Sequence, residues 1–317
     1  MVLKYIRYIL LFCLLLTVAI CTLVWQASST KEYSRSTYGK MRKLPQNYFI
    51  DGPLITQVVY NRIGKCGSRS LNTIIHSLSK KNEFHFYTSP VGNVTRPKIL
   101  DLMSEVRLIE SMPTPMLYTR HIHFINFEKF GHQPPVYINV IRDPIERFVS
   151  QFYFKRYGDN HMGMSRLARP WHDGERDLDI NTCVLRNYSE CSGLKLWYVV
   201  PYFCGQSPIC REPGRDALLR AKRHLVDNYL LVGVLEDFEG TLQVLEKLLP
   251  TYFNGAVKIW KKVENKSVKN TATRNKVPLT PEADAVLRDK MKLEYEFYDF
   301  AFALYRQLKV FQLGLDL

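Results

Sequence analysis

Two segments, VYINVI at 136–141 and YLLVGV at 229–234, are almost continuously apolar and rich in β-branched residues, with no polar alternation. A strand that is apolar on both faces is covered on both faces. That is the situation of a parallel sheet between helix layers, not of a half-solvated antiparallel one. Leu54–Tyr60 reads as a third strand. Helical spacing follows at Ser68–Lys80 (Leu71, Ile74, Ile75, Leu78) and at Pro97–Met112 (Ile99, Leu102, Met103, Val106). Pro144–Arg156, the stretch from 235 through Leu249, and an aromatic-rich segment from Glu282 to about Val310 also read as helices. Strands alternating with helices predict an α/β fold: an open, mainly parallel sheet with flanking helices. No repeat or low-complexity break interrupts residues 51–317, which are read as one domain.

Upstream of it, Ile9 to Trp25 reads ILLFCLLLTVAICTLVW. About 20 apolar residues cross a hydrocarbon core of roughly 30 Å, and Tyr5, Ile6 and Tyr8 extend this run. Lys4 and Arg7 precede it with no acid among them, so the positive-inside rule leaves 1–8 as a cytoplasmic tail, 9–25 as a transmembrane signal anchor and the remainder across the membrane. A cleaved signal peptide is the alternative, but the run is long for one and Trp25 would sit badly just before a cleavage after Ala27. Residues 26–50, polar and without periodicity, read as a lumenal stem.

The chain carries 44 Lys and Arg against 30 Asp and Glu, a net of +14. Such an excess asks for an anionic partner without choosing it. The tail and anchor hold two of the cations, so the rest keeps 42 against 30, a net of +12. A lumenal address makes nucleic acid an unsuitable partner for that charge. Cysteine use agrees with the address. Cys183 with Cys191 and Cys204 with Cys210 are local pairs that read as disulfides, and their spacings are not those of a zinc site. Asn93, Asn187 and Asn265 each begin an N-glycosylation sequon.

The stretch YNRIGKCGSRS (60–70) leads from a strand into a helix. Gly64 and Gly67 permit tight turns, the helix start offers free N–H groups, and Lys65, Ser68 and Ser70 add charge and hydroxyls. The set suits a phosphate or sulfate, although an ordinary capped turn would also account for it. It is not a Walker A loop, because the leading glycine is absent and Cys66 replaces Ser/Thr. A second anion-ready strand end follows at IRDP, where Asp143 is placed as N-cap, Pro144 as the first helical residue and Arg142 at the strand's carboxyl edge. Ser150 lies two turns along that helix.

A strand, a Lys/Ser loop, and a later strand ending in IRDP with Ser eight residues beyond the Arg resembles the sulfotransferases that use 3′-phosphoadenosine 5′-phosphosulfate (PAPS). YNRIGKCGSRS, TRHIHFINFEKFG, PVYINVIRDPIERF, YFCGQSPICREPG, LLVGVLEDFE and EYEFYDF together are similar to the uronyl 2-O-sulfotransferases of heparan and of dermatan/chondroitin, over roughly residues 53–310. CGSRS, RHIHF and CREPG look more like the dermatan/chondroitin branch than the heparan branch, whose loop reads closer to PKTAS. The resemblance implies a P-loop NTPase-like fold, a Golgi membrane enzyme of single-pass type II topology and PAPS as sulfate donor with no metal. It implies a 5′-phosphosulfate held by Lys65, Cys66, Gly67, Ser68 and Arg69, and a 3′-phosphate held by Arg142 and Ser150. A late basic segment, here Trp260 to Lys276, would close over the nucleotide through Trp260, Ser267 and Thr273. The heparan members form trimers, which implies a possible homotrimer with the aromatic tail Tyr295–Tyr305 as its contact.

In YTRHIHF, His121 and His123 share a face if the segment is a strand. A metal pair, core histidines and a general base are the competing readings, and no third metal ligand is evident. The resemblance assigns the base to His121, with His123 as helper or substrate contact, and Thr119 stands where the heparan enzymes carry another His. Arg62 and Arg120, with Arg166, Arg169 and Arg176 in a basic stretch from Lys155 to Arg176, are candidate contacts to an anionic glycosaminoglycan acceptor; simple solvation is the rival reading of that stretch. The expected reaction is sulfate transfer from PAPS to the 2-hydroxyl of iduronate or glucuronate in dermatan/chondroitin sulfate. The alternatives are another lumenal glycan or glycoprotein as acceptor, heparan included, or a non-catalytic glycosaminoglycan-binding protein on the same scaffold. A membrane kinase is disfavoured by the missing Walker features.

Overall fold

The computed structural model describes residues 55–92, 94–159 and 177–316. The expected tail, anchor and stem, together with Asn93, Arg166, Arg169 and Arg176, lie outside the described residues. No described helix is long and apolar enough to cross a membrane.

Among the described residues five parallel strands form one sheet in the order β2-β3-β1-β4-β5. They are β1 (Gln57–Tyr60), β2 (His85–Thr88), β3 (Met116–Thr119), β4 (Val136–Ile141) and β5 (Tyr229–Val234). Val58 stands opposite Leu117 on one side and Val136 on the other. The three middle strands and β5 are buried almost throughout, as the continuous apolar runs require. Only β2, at the edge, is largely open to solvent.

Helix α1 (Ser68–Lys81) buries Leu71, Ile74, Ile75 and Leu78, and α2 (Ile99–Glu110) buries Leu102, Val106 and Ile109. Both pack on the main core, which continues through α5 (Val199–Cys204), α6 (Arg215–Asn228), α7 (Phe238–Leu248) and the short α8 (Pro250–Phe253). Helix α3 (Pro144–Tyr157) turns Ile145, Phe148 and Phe152 into a second apolar cluster with Ile180 of α4 (Ile180–Leu185) and with Leu287 and Met291. Cys183–Cys191 and Cys204–Cys210 are disulfides, as the spacing suggested.

The carboxyl-terminal segment differs from the expected single helix. It is α10 (Pro281–Lys290) and α11 (Lys292–Arg306), separated at Met291, followed by a π turn at Gln307–Gln312. Thr280 caps α10 by accepting from the Ala283 N–H, and Pro281 occupies its first turn. Of the aromatic tail, Phe297, Phe300 and Tyr305 are buried in the chain's own core, whereas Tyr295, Tyr298 and Phe302 are half-buried.

The order of strands reverses beside β1. Its following helix leads to β2 on one side, whereas β4 and β5 lie on the other. The crevice at the carboxyl ends of β1 and β4 is where open α/β sheets take ligands. Both anion-ready loops open into it.

Candidate functional site

The β1–α1 loop is wound tightly. Lys65 and Gly67 both take positive φ, 67° and 73°, around the fully buried Cys66. Successive residues of this kind turn backbone N–H groups to one side, a geometry suited to anions. Helix α1 has no acidic residue in its first turn and no side-chain cap, so its first N–H groups meet no competing carboxylate. At Gly67 a Cβ would lie 2.5 Å from Leu235 Cδ1. Gly67→Ala combines left-handed strain with that clash and is expected to cost about 2 kcal/mol. Urea unfolding checks the loss, and weaker binding of 3′-phosphoadenosine 5′-phosphate (PAP) checks the loop.

Four cations face one another here. The Lys65 ammonium rests over the Phe154 ring, 3.8 Å from its centroid, and the Arg69 guanidinium lies 5.6 Å from the same ring. Arg69 also pairs with the buried Asp159, while its buried Nη1 has no partner among the described residues. Arg142 extends from the end of β4 and pairs with Glu146 at 2.7 Å. Burial, together with the charges of Arg69, Arg142 and Lys276 and against that of Asp159, lowers Lys65 to about 7. Lys276 is lowered as well, by burial and then by Arg142. Cations that depress one another in a half-buried cleft are stabilised by an incoming anion.

Hydroxyls complete the cradle. Ser70 Oγ meets Ser267 Oγ at 2.8 Å, and Ser150 Oγ meets Thr273 Oγ1 at 3.1 Å. Ser267 belongs to α9 (Ala256–Thr271), and Thr273 is bridged to Asp159 just beyond α3. The late segment thus lies against α1 and α3, bringing Ser267 and Thr273 to the serines of both loops. Trp260 is elsewhere: it is buried in the core, edge-on to Phe238. Cys66 is likewise inside, and burial pushes its thiol up to about 12, so only its backbone faces the loop's interior. These residues fit an anionic nucleotide. Sequence reading passed over Phe154, Asp159 and Lys276; an aromatic or acid distant in the chain carries no local signal of such a role.

Strand β3 ends at Thr119, so the residues after it are not extended and the two histidines do not share a face. The Ile122 N–H turns back to the Arg120 carbonyl. His121 Nδ1 lies 2.9 Å from the Arg62 carbonyl. A carbonyl only accepts, so Nδ1 carries the proton and Nε2 holds a free lone pair. Burial, aided by the Arg62 charge, lowers His121 to about 4 and keeps the ring neutral.

His123 is locked the opposite way. Its Nδ1 accepts from Arg96 Nε at 3.2 Å and its other nitrogen donates to the Gly205 carbonyl. Burial and then Arg96 lower it to about 3. With both nitrogens engaged, His123 has no lone pair for a base, which corrects the expectation of a catalytic helper.

Arg120 is also corrected. It is buried, pairs with Glu105 at 2.5 Å and donates to the Val94 carbonyl, which withdraws it from an acceptor. Arg156, within the expected basic stretch, is buried against Glu190 at 2.5 Å. Arg62 remains half-buried at the cleft, its Nε without a partner among the described residues. Asn187 and Asn265 are both exposed. Among the described residues no group of three or more His, Cys, Asp or Glu is placed to hold a metal ion.

A parallel sheet with two cationic loops at its switch point, and a neutral histidine in the segment after β3, makes an α/β protein whose cleft suits an anionic nucleotide. The chain belongs to the Sulfotransferase family, whose family model matches residues 46–301. It is 46% identical to human and to mouse uronyl 2-sulfotransferase over 263 residues, covering 81% of this chain and 64% of each of those proteins. It is 35% identical to mouse heparan sulfate 2-O-sulfotransferase 1 over 280 residues, covering 83% of this chain and 76% of that one.

Proposed function

We propose that this chain transfers sulfate from PAPS to the 2-hydroxyl of uronic acid residues in dermatan/chondroitin sulfate. The observation that carries the reading is the tautomer of His121, whose Nδ1 is tied to the Arg62 carbonyl just ahead of the donor loop and whose Nε2 is left to accept a proton. Higher identity to the uronyl than to the heparan enzyme supports the acceptor branch.

PAPS, when bound, supplies a sulfuryl group whose departure leaves a phosphate anion. Lys65, Arg69 and the first N–H groups of α1 would hold its 5′ end, and Arg142, Ser150 and Thr273 its 3′-phosphate. Lys65 and the loop N–H groups are preorganised for charge developing on a phosphate oxygen, and require no rearrangement at that moment. His121 Nε2 takes the proton of the sugar hydroxyl as the new O–S bond forms and the bridging S–O bond breaks. Arg62, whose carbonyl orients His121, offers its guanidinium to the uronate carboxylate.

Incubation with PAPS and desulfated dermatan, chondroitin or heparan, followed by disaccharide analysis, tests the reading. Absence of 2-O-sulfated uronate from every acceptor would sink it. The expected address is the Golgi membrane, with 9–25 as anchor and the catalytic domain lumenal. Two disulfides support an oxidising compartment. Protection of residues 51–317 from protease in sealed vesicles checks it.

Lys65 also makes donor binding pH-dependent. Lowered to about 7 in the free protein, it regains its proton when an anion binds. Affinity for PAP is therefore expected to fall as pH rises above 7, by up to tenfold per unit, with proton uptake on binding. Calorimetry in buffers of different ionisation enthalpy measures that uptake, and Lys65→Met abolishes it.

A further inference from the structure

Arg96 lies in the segment that follows β2, and two of its donors are already in use. Nε donates to His123 Nδ1 at 3.2 Å and Nη2 to the Cys210 carbonyl at 3.1 Å. Both acceptors are neutral. A guanidinium has five N–H donors, so three remain. Arg211, exposed, directly follows Cys210 in the chain, and its charge adds to burial in depressing Arg96. Among the described residues neither arginine forms an ion pair.

The arrangement is rigid. The Cys204–Cys210 disulfide closes the loop that carries the Cys210 carbonyl, and Trp197 Nε1 donates to that carbonyl at 3.3 Å. Gln206 Nε2 bridges the Thr95 and His123 carbonyls, at 3.3 and 2.9 Å. Arg96 is thereby fixed relative to the segment that carries His121.

Strand order separates this pair from the donor cations. Arg142 and Ser150 follow β4, on one side of β1. Arg96 follows β2 and His123 follows β3, on the other side. Two uncompensated guanidinium groups on the base's side of the sheet have no counterpart in the nucleotide cradle.

We propose that Arg96 and Arg211 form an anion subsite beside the base, which takes the ester sulfate or carboxylate of a sugar flanking the target uronate. The assignment rests on the acceptor class proposed above. Guanidinium forks match either anion, bidentately.

The test measures binding of size-defined chondroitin sulfate octasaccharides, and of the same chains desulfated, to the full chain with saturating PAP. Arg211→Gln and Arg96→Gln are each expected to bind the sulfated octasaccharide about tenfold more weakly, with a shallower salt dependence and unchanged affinity for PAP. Loss confined to the sulfated chain assigns the ester sulfate; equal loss on both assigns the carboxylate. Arg211 makes no hydrogen bond through its side chain among the described residues, so Arg211→Gln remains informative where Arg96→Gln disturbs the His123 segment. Unchanged binding by Arg211→Gln overturns the subsite, as does an equal loss on Lys258→Gln, a charge removed from exposed helix surface. A wild-type chain that binds the octasaccharide in this way but sulfates no uronate overturns the activity and leaves the subsite standing.

Discussion

His121→Ala lowers kcat by about a thousandfold and leaves PAP affinity within twofold of wild type. Removal of a positioned general base costs typically about 10²–10⁴ in rate. His121 touches the Arg62 carbonyl and none of the donor cations by hydrogen bond, so nucleotide binding has no reason to follow. The pH profile separates a base from a merely structural ring. His121 is lowered to about 4 by burial and the Arg62 charge. Protonation fills the Nε2 lone pair, so kcat/KM for PAPS should rise through about pH 4 and stay level to about 7. Above 7 it should fall, because Lys65 loses its charge. His121→Ala keeps the alkaline limb and lacks the acid one. Steady-state kinetics between pH 4 and 9, with PAP binding measured on the same variant, decide the matter. A variant with full activity shows that the proton goes elsewhere. His123→Ala, by contrast, removes a ring that packs 4.7 Å from Tyr202 and accepts from Arg96. Its loss should follow protein stability.

The sheet's inner strands and the two loops were legible in the sequence because each is written locally, whereas His121 was singled out by resemblance alone. Strands β4 and β5 are the apolar runs themselves, residue for residue. Helix α3 starts at Asp143 and Pro144 because a cap and a first-turn proline leave little choice: Asp143 accepts from the Glu146 N–H at 2.9 Å. Strand β2, HFYT at a solvent-facing edge, has no such pattern and went unread. The alternation of YTRHIHF misled for a related reason. Periodicity shows which residues could share a face, whereas the sheet ends where pairing ends, at Thr119. Roles that depend on distant partners were invisible. Arg120 became structural because Glu105 meets it, and His123 because Arg96 does. Nothing near either residue announces that partner.

Glu294→Leu is expected to destabilise the protein by about 3–5 kcal/mol, the cost of removing one member of a buried charged arrangement. Glu294 is buried in α11, and its carboxylate accepts three backbone N–H groups at the start of α5: Tyr198 and Val199, each at 2.9 Å, and Val200 at 3.1 Å. Helix α5 has no side-chain cap of its own. The distant carboxylate supplies the cap and meets the positive end of the helix. Burial raises the Glu294 pKa above its ordinary 4.5, opposed by these N–H groups and by Arg147. A raised carboxyl is one whose ionised form folding disfavours. Its contribution to stability therefore declines as pH rises from 4.5 through the raised value, and Glu294→Gln lacks that slope. Gln retains an oxygen for two of the three donors but sets an amide nitrogen against the third, so its loss should be intermediate. Removing the charge also takes a neighbouring anion from buried Arg147, whose Nε and Nη1 have no partner among the described residues and whose guanidinium lies 4.0 Å from the Tyr198 ring. The effect reaches the chemistry through α5. The Tyr202 carbonyl accepts from the Phe124 N–H at 2.8 Å and from Asn61 Nδ2 at 3.4 Å, fastening the segment after His121 to the end of β1. Urea unfolding between pH 4.5 and 7.5, with activity measured on the folded fraction, should show stability lost first in Leu and then in Gln. The specific activity of the molecules still folded should fall as well, because a base that depends on α5 for its place loses it when the cap is gone.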